Sequence, residues 1–262
     1  MAHIHPCALV DGRARLADDV TVGPYAVIDG EVELGPGCFV GPFCHFEGPV
    51  RVAADNRFLS HCSVGVPPQD LKYKGEPTRV EIGPGNVFRE FVTIHRGTPG
   101  GGSLTRIGGH GLYMVGAHIA HDSQVGDHVI FANCGTLAGH VHVGDHAVVG
   151  ALTAVHQFCS VGEHAYIGGG TIATKDVLPF MKTVGSRPAR CFGPNTIGLA
   201  RKGFAAERLA ALKSAWRLLH NPKLTTSEAL ARIRAELSGA ADAQRLVEFI
   251  ATSQRGVILA RG

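Results

Sequence analysis

An aliphatic or aromatic residue returns at every sixth position from Val10 to Val64 and again from Ile107 to Ile167, and few architectures accept that period. In the first run the markers are Ile4, Val10, Leu16, Val22, Ile28, Leu34, Val40, Phe46, Val52, Phe58 and Val64. Many precede glycine, as in Val22-Gly23, Leu34-Gly35 and Val40-Gly41, and four residues on stands something small, such as Ala26, Cys38, Cys44 or Cys62. Neither a helix nor a lone strand repeats every six residues. A short strand plus a corner does, with glycine supplying the corner backbone and the small residue fitting inside it. Three units predict one triangular turn of eighteen residues, and successive turns stack as parallel strands roughly 4.8 Å apart.

Two insertions are expected to leave this coil as loops, near residues 65–81 and 97–105, the second slipping the register by one residue. The repeat dies near Lys175 to Pro188, and beyond Pro194 the composition turns to Ala, Leu, Arg and Glu at helical spacing. The expected organisation is an all-β solenoid plus α: residues 1–188 as a parallel β-helix, then 189–262 as a connector and a helical domain. Helices are expected at about 204–220, 226–238 and 242–253, the second opened by the capping box Thr225-x-x-Glu228.

With 262 residues and 45% hydrophobic content the chain can bury a sizeable core, and a net charge of +3 is too mild to argue for nucleic acid. No stretch approaches the roughly twenty apolar residues of a membrane span, and Met1-Ala-His-Ile-His-Pro6 lacks the charged and apolar regions of a secretion signal. A cytoplasmic location is expected. Cys38, Cys44, Cys62 and Cys159 occupy the small position of the repeat and read as reduced packing residues. A bare coil could be an inert spacer, but such a spacer needs no lysine-bearing excursion like Gln69-Asp70-Leu71-Lys72-Tyr73.

Among fifteen histidines, position must discriminate. His128, His146 and His164 follow Gly-Asp or Gly-Glu corners, expected to face solvent, and are set aside. Ala117-His118-Ile119-Ala120-His121-Asp122 is different, placing two histidines and a carboxylate together. Counting by eighteen carries His121 to Gly139 and Gln157, Asp122 to His140, and Ala120 through Ala138 to His156. An imidazole can take a proton from a hydroxyl, a carboxylate can fix its tautomer, and a glycine amide can bind an oxyanion. Adjacent strand residues point to opposite faces, so a His121–Asp122 pair requires a corner between them. Catalytic, metal-binding and structural readings all stay open on these residues alone.

With the coil, the segments Gln69-Asp-Leu-Lys-Tyr73, Thr93-Ile-His-Arg-Gly-Thr98, Ala117 to Asp122, Leu137-Ala-Gly-His140 and Ala154-Val-His-Gln-Phe158, followed by a helical tail, resemble the UDP-N-acetylglucosamine acyltransferases of lipid A biosynthesis. The resemblance spans nearly the whole chain. It implies a left-handed coil, a homotrimer with sites between subunits, and direct transfer of an R-3-hydroxyacyl chain from acyl carrier protein to the glucosamine 3-hydroxyl of UDP-N-acetylglucosamine. His121 is then the general base, Asp122 its orienting partner and the Gly139 amide the oxyanion donor. Lys72, His118, His140 and His156, with Gln69, Asp70 and Gln157 nearby, match substrate-contacting positions. Asn195, Arg201 and Lys202 match the nucleotide-binding connector, although Ile197 stands where a carboxylate is expected and Lys202 replaces an arginine. Gly169 matches the position that limits acyl length, and basic residues including Arg208, Lys213 and Arg217 would face the acidic carrier protein. The resemblance implies no metal and no cofactor bound by the protein, the donor's 4'-phosphopantetheine travelling on acyl carrier protein. A 3-amino sugar nucleotide as acceptor, or a metal-dependent enzyme of carbonic anhydrase type built on the same coil, are the alternatives.

Overall fold

A computed structural model describes residues 1–259. Short parallel strands form three sheets that each gain one strand per turn, eleven, nine and eight strands in the order found along the coil. The hexad markers point inward and are buried, from Val22 through Ile167. Phe58, Phe88, Tyr113 and Phe131 stack in consecutive turns at centroid separations of 4.6, 4.7 and 5.3 Å. Replacing one of these rings with Ala would cost about 3–5 kcal/mol. Cys38, Cys44, Cys62 and Cys159 are buried at the small position, and all seven cysteines are free.

The insertions leave the sheets intact. Val52 pairs with Ile82, twelve residues beyond a regular turn, and Ile82 pairs with Ile107, seven beyond it. Leu71 at the tip of the first excursion is 97% exposed. In the second, Pro99–Gly101 winds into a single turn of 3-10 helix.

The three outer faces differ in chemistry. The eight-stranded sheet presents Arg15, Glu33, Arg51, Glu81 and Arg106 in register, alternating in sign, with ion pairs of 3.3, 3.3 and 2.9 Å along the row. The eleven-stranded sheet presents an apolar row, Val87, Leu112, Ile130, Val148 and Tyr166. The nine-stranded sheet presents His45, Ser63, Thr93, His118 and Thr136.

The repeat outlives its sequence signature by one strand. Met181–Val184 still pairs in parallel with Tyr166–Ile167, and only then does Arg190–Pro194 turn back antiparallel. Helix α1 (Thr196–Arg201), too short for a periodicity to register, precedes α2 (Ala206–Leu219), α3 (Thr226–Glu236) and α4 (Ala241–Thr252). The capping box at Thr225 and Glu228 forms in both directions. Leu199, Leu212, Ala215, Ile233 and Leu246 build a second core that continues into Phe180 and Met181 of the coil.

One expectation is corrected. His128 is exposed as expected, but His146 and His164 are half-buried: with His110 the three stack at 5.1, 4.8 and 4.6 Å, and His164 meets Phe180 at 5.9 Å and Phe204 edge-on at 4.9 Å. Solenoid stacking superposes identical corner slots, so a residue that looks isolated in sequence acquires a neighbour above and below.

Candidate active site

The corner that follows His118–Ile119 lies between the nine- and eight-stranded sheets. Asp122 takes φ 61° there, the left-handed conformation that folds its carboxylate back beside His121. His121 Nδ1 lies 2.8 Å from Asp122 Oδ2, and His140 Nε2 lies 3.7 Å from the same oxygen. The His121 and His140 rings meet edge to face at 5.1 Å, and His140 stacks on Phe158 at 4.4 Å. His140 donates its amide to the His121 carbonyl, and Phe158 to that of Gly139, so the eighteen-residue columns are continuous through the site.

Asp122 is 3% exposed, which only its hydrogen bonds make tolerable. Thr98 donates its amide to Oδ1 (2.8 Å) and its hydroxyl to Oδ2 (2.6 Å), while the Asp122 amide donates to Thr105 Oγ1 (2.8 Å). Burial alone would raise this carboxyl, but the bonds from His121 and Thr98 hold it below its ordinary value. Thr98 reaches it because the second excursion folds down as a lid. A side chain on Gly101 would run into the Asp122 carboxylate, so the lid requires glycine there. The sequence assigns no role to Thr98, the last residue of the Thr93–Thr98 segment, or to Thr105. The break of register marks in the sequence that a loop leaves the coil here, but not where its residues land.

Nδ1 of His121 is committed to Asp122, which leaves Nε2 for a substrate. One turn on, the Gly139 amide finds no acceptor among the described residues, and a methyl at Gly139 would sit 2.5 Å from His121 Cε1. His118 Nδ1 is paired with Thr93 Oγ1 at 2.7 Å; burial first, and His121 second, lower its pKa. Behind it, His95 is 6% exposed, lowered to about 4 by burial, and its Nδ1 has no partner. His140 is also lowered, by burial, against the opposing charges of Asp122 and Asp70. His156 and Gln157 are exposed on the rim.

The other sequence candidates divide between the approach to this site and other corners, the first excursion lying close enough for Asp70 to act on His140. Gln69 and Lys72 are exposed on the first excursion, whose Asp70 takes the Lys72 amide at 2.9 Å. Asn195 caps α1 by accepting from Gly198 and is tied to the Phe180 carbonyl, while Lys202 acts electrostatically on His146 and His164. Asn195, Arg201 and Lys202 therefore sit by the opposite corner, beyond the eight- and eleven-stranded sheets, and do not join His121 within one chain. Gly169 is exposed at the third corner. Its neighbours are fixed for other reasons, Gly168 against Val184 and Gly170 by its φ of 69°, whereas a methyl on Gly169 would meet only the Ala151 backbone at 3.2 Å.

His121, Asp122 and His140 are also the trio a metal would use, their ligating atoms lying within 4.8 Å of one another. Both Asp122 oxygens already accept bonds from Thr98 or His121, an arrangement that suits proton transfer.

A family model described as UDP N-acetylglucosamine O-acyltransferase, domain 2, matches residues 176–258. Proteins named acyl-[acyl-carrier-protein]--UDP-N-acetylglucosamine O-acyltransferase align over nearly full length. That of Syntrophobacter fumaroxidans is 48% identical, covering 97% of this chain and 99% of the relative, and that of Trichlorobacter lovleyi is 54% identical, covering 97% and 98%. Among solved structures, LpxA from Acinetobacter baumannii superposes with a TM-score of 0.94 at 41% identity, covering 97% of this chain and 99% of that one. The UDP-N-acetylglucosamine acyltransferase of Francisella novicida gives 0.94 at 33% identity, covering 98% and 94%.

Proposed function

The chain belongs to the UDP-N-acetylglucosamine O-acyltransferase family, and we propose that it transfers an R-3-hydroxyacyl chain from acyl carrier protein to the glucosamine 3-hydroxyl of UDP-N-acetylglucosamine, the first step of lipid A biosynthesis. The observation that carries this reading is the His121–Asp122 pair, sealed beneath the Thr98 lid and facing the free Gly139 amide. His121 Nε2 removes the hydroxyl proton as the oxygen attacks the thioester carbonyl. Asp122 keeps the ring in the required tautomer and balances its positive charge, and the Gly139 amide receives the developing oxyanion. Collapse of the tetrahedral intermediate expels the pantetheine thiolate, which takes the proton from His121. No covalent enzyme intermediate is needed. The relatives' O-acyltransferase names favour the hydroxyl over a 3-amino acceptor.

The assembly is a homotrimer in this reading. Its support is the apolar row Val87, Leu112, Ile130, Val148 and Tyr166 beside the charged, self-paired row of the eight-stranded sheet, because an apolar row of that length marks a surface to be covered. A second chain would also bring an Asn195–Lys202 connector toward each His121, whereas the Lys72 excursion already comes near within one chain, its Asp70 acting on His140. His118, His140, His156 and Gln157 line the acceptor, with Gln69 and Asp70 on the approach, and an unobstructed Gly169 favours the longer donors. Lys213 and Arg217 are exposed on α2 and suit an acidic carrier, whereas Arg208 is committed to Asp242. A cytoplasmic setting agrees with seven free cysteines. No helix among the described residues is long and apolar enough to cross a membrane.

The test is mass spectrometry of the sugar nucleotide after wild-type and His121→Ala proteins are each incubated with UDP-N-acetylglucosamine and a panel of 3-hydroxyacyl carrier proteins. One added hydroxyacyl group, absent with the variant, is expected, and a fourteen-carbon donor should outcompete a ten-carbon one. No product from the wild type would overturn the reading.

A further inference from the structure

After α4 the chain does not leave the molecule but returns to the coil as a strap. Asp176, 4% exposed, pins it: Oδ2 accepts from Ser253 Oγ at 2.6 Å, Oδ1 accepts from the Ser160 amide at 2.7 Å, and the Asp176 backbone bonds to Gly256 and Ile258 at 2.9 and 2.8 Å. The strap sets Arg255 at the catalytic column, its Nη2 3.3 Å from His156 Nδ1. Between strap and column lies a cavity of about 430 Å³ whose lining includes His140, His142, Phe158, Ser160 and Arg255. It opens beside the His121–His140 pair.

Two features separate Arg255 from a structural arginine. Arg208 and Arg245, on the helices, each pair with a carboxylate, Asp242 and Glu163 respectively, but Arg255 is exposed and forms no ion pair among the described residues, its contacts being His156 and the Cys159 thiol. The carboxylate that holds the strap, Asp176, is already filled by Ser160 and Ser253. His156 Nδ1 lies between two partners of opposite kind, the Arg255 guanidinium at 3.3 Å, which can only donate, and the Gln157 carbonyl at 3.1 Å, which can only accept. The cavity offers the guanidinium fork and the His140 and His142 imidazoles, donors suited to a phosphate, and the one carboxylate among its described lining residues is Asp176, already bonded to Ser160 and Ser253.

We infer that Arg255 is a phosphate-binding residue of the active site, held by the Asp176 strap so that a substrate phosphate seats between Arg255 and the His140–His142 side of the cavity. This deepens the acyltransferase reading and rests on it. Both substrates of that reaction carry phosphate, the acceptor as a diphosphate and the donor in its pantetheine arm. The diphosphate is favoured because it is attached to the same sugar ring whose 3-hydroxyl His121 deprotonates, whereas the pantetheine phosphate is separated from the thioester by the whole length of that arm, and the cavity reaches His140, whose ring meets that of His121.

Arg255→Ala and Arg255→Lys, on the full chain, test it with separate Michaelis constants for UDP-N-acetylglucosamine and for the acyl carrier protein donor, and with calorimetric titration of UDP. Arg255→Ala should raise the sugar-nucleotide KM and weaken UDP binding roughly tenfold or more, with kcat and thermal midpoint nearly unchanged and Lys recovering part of the loss. A rise confined to the donor KM would keep the phosphate role and assign it to the pantetheine arm. Unchanged KM values for both substrates, or a loss in kcat alone, would overturn the inference. The wild-type assay separates the two levels: wild-type turnover with an indifferent Arg255 removes this inference only, whereas no wild-type turnover removes the reading beneath it.

Discussion

The corner holding Asp122, His140 and Phe158 and the corner holding His110, His128, His146 and His164 occupy the same slot of the hexad. All seven residues have φ between 55° and 63°, and both corners stack aromatic rings turn upon turn. They differ in what covers them. The Thr98 lid closes over the first and buries a carboxylate against an imidazole. Over the second lies Phe204, with Lys202 and Arg208 nearby; burial lowers His146, and burial first, then His146 and those cations, lower His164 to about 4. Chemistry in this solenoid comes from an interruption of the repeat, and the repeat itself supplies only the spacing.

Substitution at the two corners should expose that contrast most sharply. His121→Ala is expected to lower kcat by about 10²- to 10⁴-fold, the range for loss of a general base, whereas His128→Ala should stay within about twofold of wild type. Comparable losses from both would collapse the distinction. Next comes the lid: Gly101→Ala places a methyl where the Asp122 carboxylate lies, so kcat should drop roughly tenfold to a hundredfold while the coil keeps its circular dichroism. Full activity would mean that the lid does not position Asp122. Thr98→Val, which deletes one of two bonds from Thr98, should cost about tenfold in kcat, and a steeper loss than for Gly101→Ala would reverse their ranking.

The smallest effect belongs to the uncovered corner and appears only in acid. Folded His164 has its pKa near 4, below the value of about 6.5 expected in the unfolded chain. Its contribution is therefore complete above about pH 6.5 and declines as pH falls toward 4, because the unfolded state takes up the proton first. His164→Phe keeps the stack on Phe180 and cannot be protonated. Its thermal midpoint should fall less between pH 7.5 and 5 than that of wild type, and parallel declines would refute the assignment.

The coil could be read from the sequence because Val22, Val40, Phe58 and their successors face inward in every turn, and one error of register would have turned a whole run to solvent. The vertical alignment of His121 with Gly139 and of Asp122 with His140 followed from the same count. Other features were invisible for particular reasons. Thr98 reaches Asp122 through an irregular loop whose path no periodicity encodes. The stack at His164 depends on Phe204, forty residues away in another module. Arg255 comes from beyond α4, and nothing local in Ser253-Gln254-Arg255 reveals that Asp176 will receive it. Residues 181–184 looked like an ending because their small corner residues were gone, yet the backbone pairing survived without them.

The antiparallel return of Arg190–Pro194 against Met181–Val184 bears on how such a molecule avoids becoming a fibre. A parallel coil presents at its last rung the hydrogen-bonding pattern that would seat another rung, its own or a neighbour's. Reversing the final strand of the eleven-stranded sheet and laying α2 over it removes that template. Growth along the axis needs adhesive ends, and at this end the surface on which a further rung would nucleate has been consumed by the chain itself.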